Sequence, residues 1–490
     1  MRTSFLGYEI GRRSLQAHQL ALAVTGHNIA NASTNGYSRQ VLRMQATSPY
    51  TMPTMSKVYG AGMIGTGVQV TDIRAVRDYF LDAQVRNETA NIGYWEAQQD
   101  ILSEVEVIFA EPQEVGLRSV IDQFWSAWEK VAANPSQTQY RQTLVQRGQE
   151  LSDTFRTVFN QLRDLRQNLR ETIASKTVEA NALLRQIADL NRQIVRVTGA
   201  GDNPNDLMDE RTRLTEQLAR LVNVETHVES NGSMNVIVNG HAAVSGFAYD
   251  QLVTDDTTLD TGPFVPRWQN TGDQLNLAGG GIGQSIGSGE LGAYVDANNR
   301  LVKGYQDDVE ALAQSIVLGV NAQHAVGYGL GGETGLDFFH EATAVETYFA
   351  ASIRVEDAII NNPSLIAAAD APPIPPETEP PPGAGANARE IARLVQSGIT
   401  VGGATIDDFF RGLIGGLGVA SQAAERQAEN QKLLLSQIEN QRTAAVGVST
   451  DEEMINLIKF QQGYNAAARL ITTFDEMVDT IINRMGLVGR

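Results

Sequence analysis

Both ends of the chain carry an amphipathic helical pattern, and this feature constrains the fold most. Near each end, apolar residues recur at every seventh position, which is the spacing of one helix face. The amino-terminal line is Tyr8, Leu15, Leu22 and Ile29, and the carboxyl-terminal line is Leu457, Tyr464, Ile471 and Val478. Because water disfavours an exposed apolar face, the two helices are predicted to pack against each other and against neighbouring copies. The alternative is that both lie on an ordinary globular core.

Between the ends the pattern is mainly helical, with one β-rich interruption. A long helix is predicted over 138–196, and further helices over 207–222, 291–324 and 407–447. From Val222 apolar residues alternate with polar ones, and Asn231-Gly232 and Asn239-Gly240 then predict tight hairpin turns. The last helix has a capping box at its start, formed by Ser449 with Glu452 or by Thr450 with Glu453.

These patterns predict a mainly α fold with a β-rich insert. Residues 1–70 and 447–490 are predicted to form a discontinuous, coiled-coil-like helical assembly domain. Residues 71–221 and 290–446 are predicted to form an elongated helical middle domain, a helical bundle. The insert at 222–289 is predicted to be a β domain at the far end. Residues 371–385 contain seven prolines and are predicted to be an extended surface loop.

Charge and composition exclude several classes of function. The formal net charge is −19, which argues against partners rich in phosphate, such as nucleic acid or anionic membranes. No stretch approaches the roughly 20 apolar residues of a membrane-spanning helix, so membrane insertion is not predicted. The amino terminus lacks a Sec signal peptide, so export would need another route. There is no cysteine, and therefore no disulfide or thiolate site.

A search for catalytic or metal-binding patterns gives a negative prediction. No two of the six histidines are three or four residues apart, so there is no helical metal pair. Residues 327–332 match G-x-G-x-x-G, but the pattern follows a helix instead of a strand, which favours a flexible loop. No P-loop, nucleophile elbow or zinc-protease motif is present. The chain is predicted to have no catalytic residue, cofactor or metal, and not to be an enzyme.

The residues at both ends resemble those of flagellar axial proteins. The segment 25–40 reads TGHNIANASTNGYSRQ, and 461–469 reads QQGYNAAAR. The signature residues are Asn28, Asn31, Gly36, Tyr37, Ser38, Arg39, Gln40, Gln461, Gln462 and Arg469. The stretch 36–40 resembles the hook-associated protein 1 (FlgK) family more than rod or hook proteins. Residues 206–211, 289–294 and 320–328 also resemble family motifs, whereas His27 and Asn35 depart from the usual residues.

The resemblance implies a structural subunit of the bacterial flagellum that assembles with copies of itself and joins hook to filament. It implies secretion to the extracellular hook–filament junction through type III export. The implied partners are the hook protein, the adjacent junction protein, an export chaperone and the type III export apparatus. The terminal helices are expected to order only on assembly.

Three alternatives remain open at the level of the sequence. The chain could be another axial protein of the hook or distal rod type. It could be a secreted enzyme carried on an axial scaffold, or an intracellular coiled-coil scaffold.

Overall fold

The computed structural model describes residues 6–34, 36–48, 65–109, 116–254, 262–275, 289–341, 348–372 and 384–484. In these ranges the chain is mainly helical with small antiparallel sheets, which confirms the predicted fold class. Residues 373–383, the greater part of the predicted proline-rich loop, lie outside the described residues. Within the described ranges, no helix is both long and apolar enough to cross a bilayer.

By packing, the chain divides into two compact units. Unit 1 comprises Met1–Ala90, Ala180–Gln251 and Lys432–Arg490, and unit 2 comprises Asn91–Glu179 and Leu252–Gln431. Strands of the β-rich insert up to residue 251 therefore belong to the same unit as both terminal helices. The predicted boundaries of the assembly, middle and β domains stay predictions.

Unit 1 contains the two terminal helices and the largest sheet. Its helices are α1 (Leu6–Ala30), the first part of α2 (Tyr79–Phe109), the last part of α4 (Thr138–Gly199), α5 (Asn205–Leu221), the last part of α11 (Ile406–Val446), α12 (Thr450–Asp479) and a π-helical turn at Thr480–Arg484. Its strands are β1 (Gln40–Ala46), β2 (Val68–Ala75), β3 (Val224–Val228), β4 (Met234–Val238), β5 (His241–Ser245) and β6 (Ala248–Tyr249).

Strands β3 to β6 form an antiparallel sheet in chain order. The turn between β4 and β5 has positive φ at both Asn239 (49°) and Gly240 (87°), which is the backbone of a type I′ hairpin turn. Gly232 in the preceding turn also has positive φ, at 89°. Both predicted Asn-Gly hairpins are thus confirmed. Alternate residues of β4 (Met234, Val236 and Val238) are buried beneath the sheet.

Unit 2 is a helical assembly around an aromatic core. Besides the remaining parts of α2, α4 and α11, it contains α3 (Leu117–Ala133), α6 (Gly289–Asp296), α7 (Val302–Ala325), α8 (Phe349–Ser352), α9 (Asp357–Asn361), α10 (Ala386–Arg393) and the short strands β7 (Leu252–Val253), β8 (Arg267–Trp268), β9 (Thr400–Val401) and β10 (Ala404–Thr405). The rings of Phe124, Trp128, Phe338 and Phe339 lie in contact at its centre, with Phe338 and Phe339 centroids 4.9 Å apart. Such contacts bury large apolar areas and stabilise the unit.

Two buried polar residues of α7 fix the segment that follows it. Asn321 accepts hydrogen bonds from the backbone N–H of Phe338 and Phe339 and donates to the Phe339 carbonyl. His324 donates from Nδ1 to the Leu336 carbonyl at 2.6 Å and accepts at Nε2 from the Ala367 N–H at 2.9 Å. This family-like motif therefore has a structural role, and burial lowers the His324 pKa to about 4.

The predicted continuous helix over 291–324 is wrong in one respect. A π-helical turn, Ala297–Leu301, separates α6 from α7. The physical reason is local hydrogen bonding: Asn299 accepts from the Phe264 N–H at 2.9 Å and donates to its carbonyl at 3.1 Å, while Asn298 is fully buried. The wider turn places both consecutive asparagines toward the protein, which periodicity alone does not reveal.

Candidate assembly site

Helices α1 and α12 form an antiparallel pair within unit 1. Gly7 faces Phe474, and a Cβ added to Gly7 would lie 1.9 Å from the ring. Gly11 faces Ile471 in the same way, with 2.8 Å between an added Cβ and the side chain. Any larger residue would displace its neighbour, so the two glycines allow the helices to approach closely.

The middle of this helix pair contains a histidine in an apolar setting. The ring centroids of His18 and Phe460 are 6.3 Å apart. A Cβ added to Gly463 would lie 2.5 Å from the His18 ring. Burial lowers the His18 pKa, and Nδ1 is buried without a hydrogen-bond partner among the described residues. The contact therefore favours the neutral imidazole.

The predicted apolar lines flank the contact between α1 and α12. Tyr8 is 45% exposed. The other line residues are half-buried, namely Leu15, Leu22, Ile29, Leu457, Tyr464, Ile471 and Val478. The buried residues of α1 are instead Gly11, Ala17, Ala21, Val24, Thr25 and Asn28. On α1, mainly small residues thus make the intrachain contact, and part of the larger apolar surface stays accessible.

One end of the helix pair is closed by a polar cluster centred on Asn28, which is 2% exposed. Its Nδ2 donates to the Gln40 carbonyl at 2.9 Å and to Glu453 at 3.1 Å. Its Oδ1 accepts from the Gln40 N–H at 3.0 Å and from the Tyr37 hydroxyl at 2.7 Å. Asn28 therefore connects α1, strand β1 and α12.

Glu453 is the residue that α12 contributes to this cluster, and it is also 2% exposed. Arg39 donates to it from Nε at 2.9 Å and lies 2.8 Å from it through Nη2, while Nη1 lies 3.1 Å from Glu452. Ser449 caps α12, because its hydroxyl accepts from the Glu452 N–H at 3.4 Å. The first of the two predicted capping pairs is therefore the one that supplies the cap.

The motif at 206–211 supplies a third group of partners from α5. Asp209 accepts from the Ser38 N–H at 2.9 Å and pairs with Arg77 at 2.6 Å. Asp206 accepts from Gln40 Nε2 at 2.7 Å. Tyr37 lies in the same surroundings, and burial, followed by the charges of Asp206, Asp209 and Glu453, raises its pKa. Its hydroxyl stays protonated and able to donate.

Other signature residues lie outside this cluster. Gln461, Gln462 and Arg469 are exposed on α12. Asn31 caps the end of α1, where its Nδ2 donates to the His27 carbonyl at 3.0 Å. Gly36 has φ of 81°, a left-handed backbone that favours glycine, in the turn between α1 and β1.

The exposed surface of α12 carries several large apolar residues among its polar ones. Its exposed large apolar residues, including those of the following π-helical turn, are Met454, Ile455, Ile458, Leu470, Met477, Ile481 and Ile482. A helix that stays isolated in water does not present such a surface. The site is therefore suited to binding another apolar helix surface.

The described residues contain no group of three or more His, Asp or Glu side chains that could hold a metal ion. The G-x-G-x-x-G stretch follows α7 as a series of turns, and Tyr328 forms a bridge with Ala369. A dinucleotide site would need a strand before the glycines and a helix after them. The expected loop is confirmed.

Comparison with known proteins identifies the family. Residues 102–339 match the model of the flagellar hook-associated protein FlgK helical domain. The ends match models of flagellar basal body rod proteins, over 9–37 for the amino-terminal region and over 439–485 for the FlgEFG carboxyl-terminal region. The chain is 31% identical to flagellar hook-associated protein 1 of Bacillus subtilis over 522 aligned residues, which cover 100% of both proteins. The chain belongs to the flagellar hook-associated protein 1 family.

Further comparisons agree with membership in the hook-associated protein 1 family. The protein of that name from Salmonella typhimurium is 24% identical, over 96% of this chain and 98% of the relative. The solved structure of the flagellar hook junction protein FlgK from Burkholderia pseudomallei covers 75% of this chain and 100% of its own, with a TM-score of 0.61 and 16% identity. That structure supports the fold alone.

The sequence did not reveal how the hook-associated protein 1 signature residues meet. From the sequence pattern Glu453 is only a possible helix-capping residue, and no motif includes Arg77. Arg77 pairs with Asp209 at 2.6 Å and lies 3.5 Å from Asp82. The available signal was the number of acidic residues in the motifs at 206–211 and 451–453, because carboxylates that become buried need cationic partners.

Proposed function

We propose that the chain is a structural, self-assembling axial subunit of the bacterial flagellum that joins the hook to the filament. One observation carries the assembly role. Of the 22 large apolar side chains exposed among the described residues, nine lie on α1, α12 and the final π-helical turn. Four of the ten signature residues, namely Asn28, Gln461, Gln462 and Arg469, lie on α1 and α12, so the surface that remains to be covered overlaps the family signature.

The distribution of apolar surface between the units supports the same proposal. Sixteen of the 22 exposed large apolar residues belong to unit 1 and six to unit 2. At about 25 cal/mol per Å² of apolar surface removed from water, burial against neighbours stabilises an assembly. Contacts between different surfaces of successive copies would continue as a helical tube instead of closing.

The proposed partners are other copies of the chain, the hook protein and the adjacent junction protein, with delivery by an export chaperone and the type III export apparatus. The proposed location is the extracellular hook–filament junction. Support comes from the names of the relatives, which are hook-associated and hook junction proteins. The absence of cysteine fits export in an unfolded state, because no disulfide can form on the way. We assign the chain no enzymatic activity.

The assembly role implies that the terminal helices gain order from their neighbours. Ordering costs roughly 1–2 kcal/mol per residue in backbone entropy, and apolar burial between copies would offset it. Hydrogen exchange on the monomer checks this step. Protection of residues 6–30 and 455–479 is expected to be weaker in the monomer than in the assembled form, and equal protection in the two states would contradict it.

A matched pair of substitutions tests the proposed function in cells. Ile455 on α12 is 66% exposed and Val419 on α11 in unit 2 is 68% exposed. Neither side chain is part of a core, so Ile455→Asp and Val419→Asp should both leave the monomer folded. Cells whose copy carries Ile455→Asp are expected to have hooks without filaments, whereas Val419→Asp is expected to preserve the junction. The proposal would be wrong if cells still formed normal filaments with a chain that combines Ile455→Asp, Leu22→Asp and Ile471→Asp.

The rod-protein matches at both ends favour one competing function, an axial subunit of the hook or rod. Electron microscopy with a label on the chain separates the two, because the junction role places the label only where hook meets filament. A label along the hook or rod would support the competitor.

A further inference from the structure

The net charge of the chain is confined to one of its two units. Unit 1 contains 21 Lys and Arg and 21 Asp and Glu, so it is neutral. Unit 2 contains 17 Lys and Arg and 36 Asp and Glu, which accounts for the whole formal charge of −19. A random distribution over units of similar size would place about half of the excess in each.

In unit 1 many acidic residues have cationic partners. Glu453 pairs with Arg39 and Asp209 with Arg77, and Arg442 pairs with Glu216. Neutrality and internal pairing suit a surface that approaches identical copies, because like charges there would oppose contact. Unit 1 also has most of the exposed apolar residues described above.

Unit 2 has the opposite properties. Many of its acidic residues are on exposed helix positions, including Asp100, Glu104, Glu129, Asp164, Glu425 and Glu429. Fewer large apolar residues are exposed there than on unit 1. A surface with a large excess of one charge repels its own copies at any distance within the Debye length.

From this separation of charge we infer that copies of the chain join through unit 1 while unit 2 repels unit 2, so that ionic strength controls joining. A neighbour that packs beside unit 2 must have a neutral or basic surface, which another copy of unit 2 lacks. The inference rests on the proposed self-assembly and adds its electrostatic control and the chemistry of the neighbour that unit 2 accepts.

The test measures association of the purified full-length chain across ionic strength. Between about 0.01 M and about 1 M salt, the Debye length falls from about 30 Å to about 3 Å. The six exposed acids named above are replaced by their amides in one variant. In the matched control each Asp becomes Glu and each Glu becomes Asp, so the same positions change while the charge is kept. Sedimentation velocity gives the association constant of each chain.

The unchanged chain and the control are expected to associate at least about tenfold more strongly at the high end of this range. The amide variant is expected to associate at lower salt and to depend on salt less steeply. Salting-out of apolar surface would affect all three chains equally, so the difference between variant and control isolates the charge. Equal salt dependence of variant and control would overturn the inference while leaving self-assembly intact. If none of the three chains associates at any salt concentration and none binds purified hooks, self-assembly is wrong and the inference is wrong with it.

Discussion

The side-chain amide of Asn28 makes four hydrogen bonds, two as donor and two as acceptor. Three of these bonds are made with Tyr37 and Gln40, in the turn and strand after α1, and the fourth is made with Glu453 on α12. A carboxylate has the same shape but cannot donate. The residue type is therefore set by hydrogen-bond direction and not by size.

Asn28→Asp is expected to destabilise unit 1 by about 3 kcal/mol, because it removes two donated bonds and places a second carboxylate beside Glu453. Hydrogen exchange of α1 and β1 would report the loss as faster exchange. Adding Glu453→Gln should restore part of the protection, since the like-charge repulsion disappears. Asn31→Asp, at the end of α1, is the control and should cost under about 1 kcal/mol. Equal effects at positions 28 and 31 would show that the buried cluster does not hold the helices together.

His324 makes the stability of unit 2 depend on pH. Its pKa is lowered from 6.5 to about 4, chiefly by burial. Between these values the unfolded chain binds more protons than the folded chain, so the stabilising effect is complete above about pH 6.5 and is lost as the pH falls toward 4. The expected loss in the free energy of unfolding is about 3 kcal/mol.

Urea unfolding followed by tryptophan fluorescence measures this dependence, because Trp95, Trp125, Trp128 and Trp268 all belong to unit 2. His324→Gln should flatten the pH profile between about pH 4 and 6.5 while lowering stability at neutral pH. The same change at His227, which is exposed on β3 in unit 1, is the control for the substitution itself and should leave the unfolding of unit 2 unchanged. A steep profile in the His324→Gln variant would assign the dependence to other groups.

At the scale of elements, one arrangement occurs four times among the residues that the structure describes. A helix-borne asparagine pairs with both the N–H and the carbonyl of a single residue in an extended segment, as a neighbouring strand would. The pairs are Asn28 with Gln40, Asn191 with Met234, Asn299 with Phe264, and Asn321 with Phe339. Helices thereby satisfy backbone N–H and C=O groups that face away from any paired strand.

Asn191→Ala tests this arrangement in the sheet of unit 1. Asn191 is fully buried on α4 and also accepts from Arg211 at 2.7 Å. Its loss leaves the Met234 backbone and Arg211 without these partners, at an expected cost of roughly 3 kcal/mol. Hydrogen exchange at the Met234 amide should accelerate strongly. Asn168→Ala, at an exposed position of the same helix, should leave that amide unchanged, and an unchanged rate in both variants would contradict the role.

Local chemistry made much of the fold predictable from the sequence. Asn239-Gly240 determines its turn through positive φ, and Ser449 determines the start of α12 through a bond to its own first turn. The contacts between distant residues could not be predicted in this way. In the sequence alone, Gly11 and Gly463 are only weak helix formers. Their role depends on the partner helix, because the missing side chains leave room for Ile471 and His18. Likewise, no pattern in the sequence shows that Glu453 pairs with Asn28, which lies 425 positions earlier.

At the scale of the whole molecule, the two units differ in core, surface and charge. The aromatic core of unit 2 contains no residue of α1 or α12. Deleting residues 450–490 is therefore expected to increase hydrogen exchange in α1, which loses its partner, while tryptophan fluorescence of unit 2 keeps its native emission. Red-shifted emission after the deletion would show that unit 2 needs the carboxyl-terminal helix. Deletion of residues 480–490 alone is the control and should leave α1 protected as before.

The pairing of Asn28 with Glu453 has a consequence for the order in which the chain is made. Synthesis delivers the amino end first, so Asn28 and Arg39 exist long before the carboxylate that they share. A copy that stops short of Glu453 would leave one N–H of the buried Asn28 amide and the half-buried Arg39 guanidinium without this partner, which lowers the stability of the cluster. A chain that ends before Glu453 is therefore expected to hold α1 and β1 together less firmly than the full-length chain does.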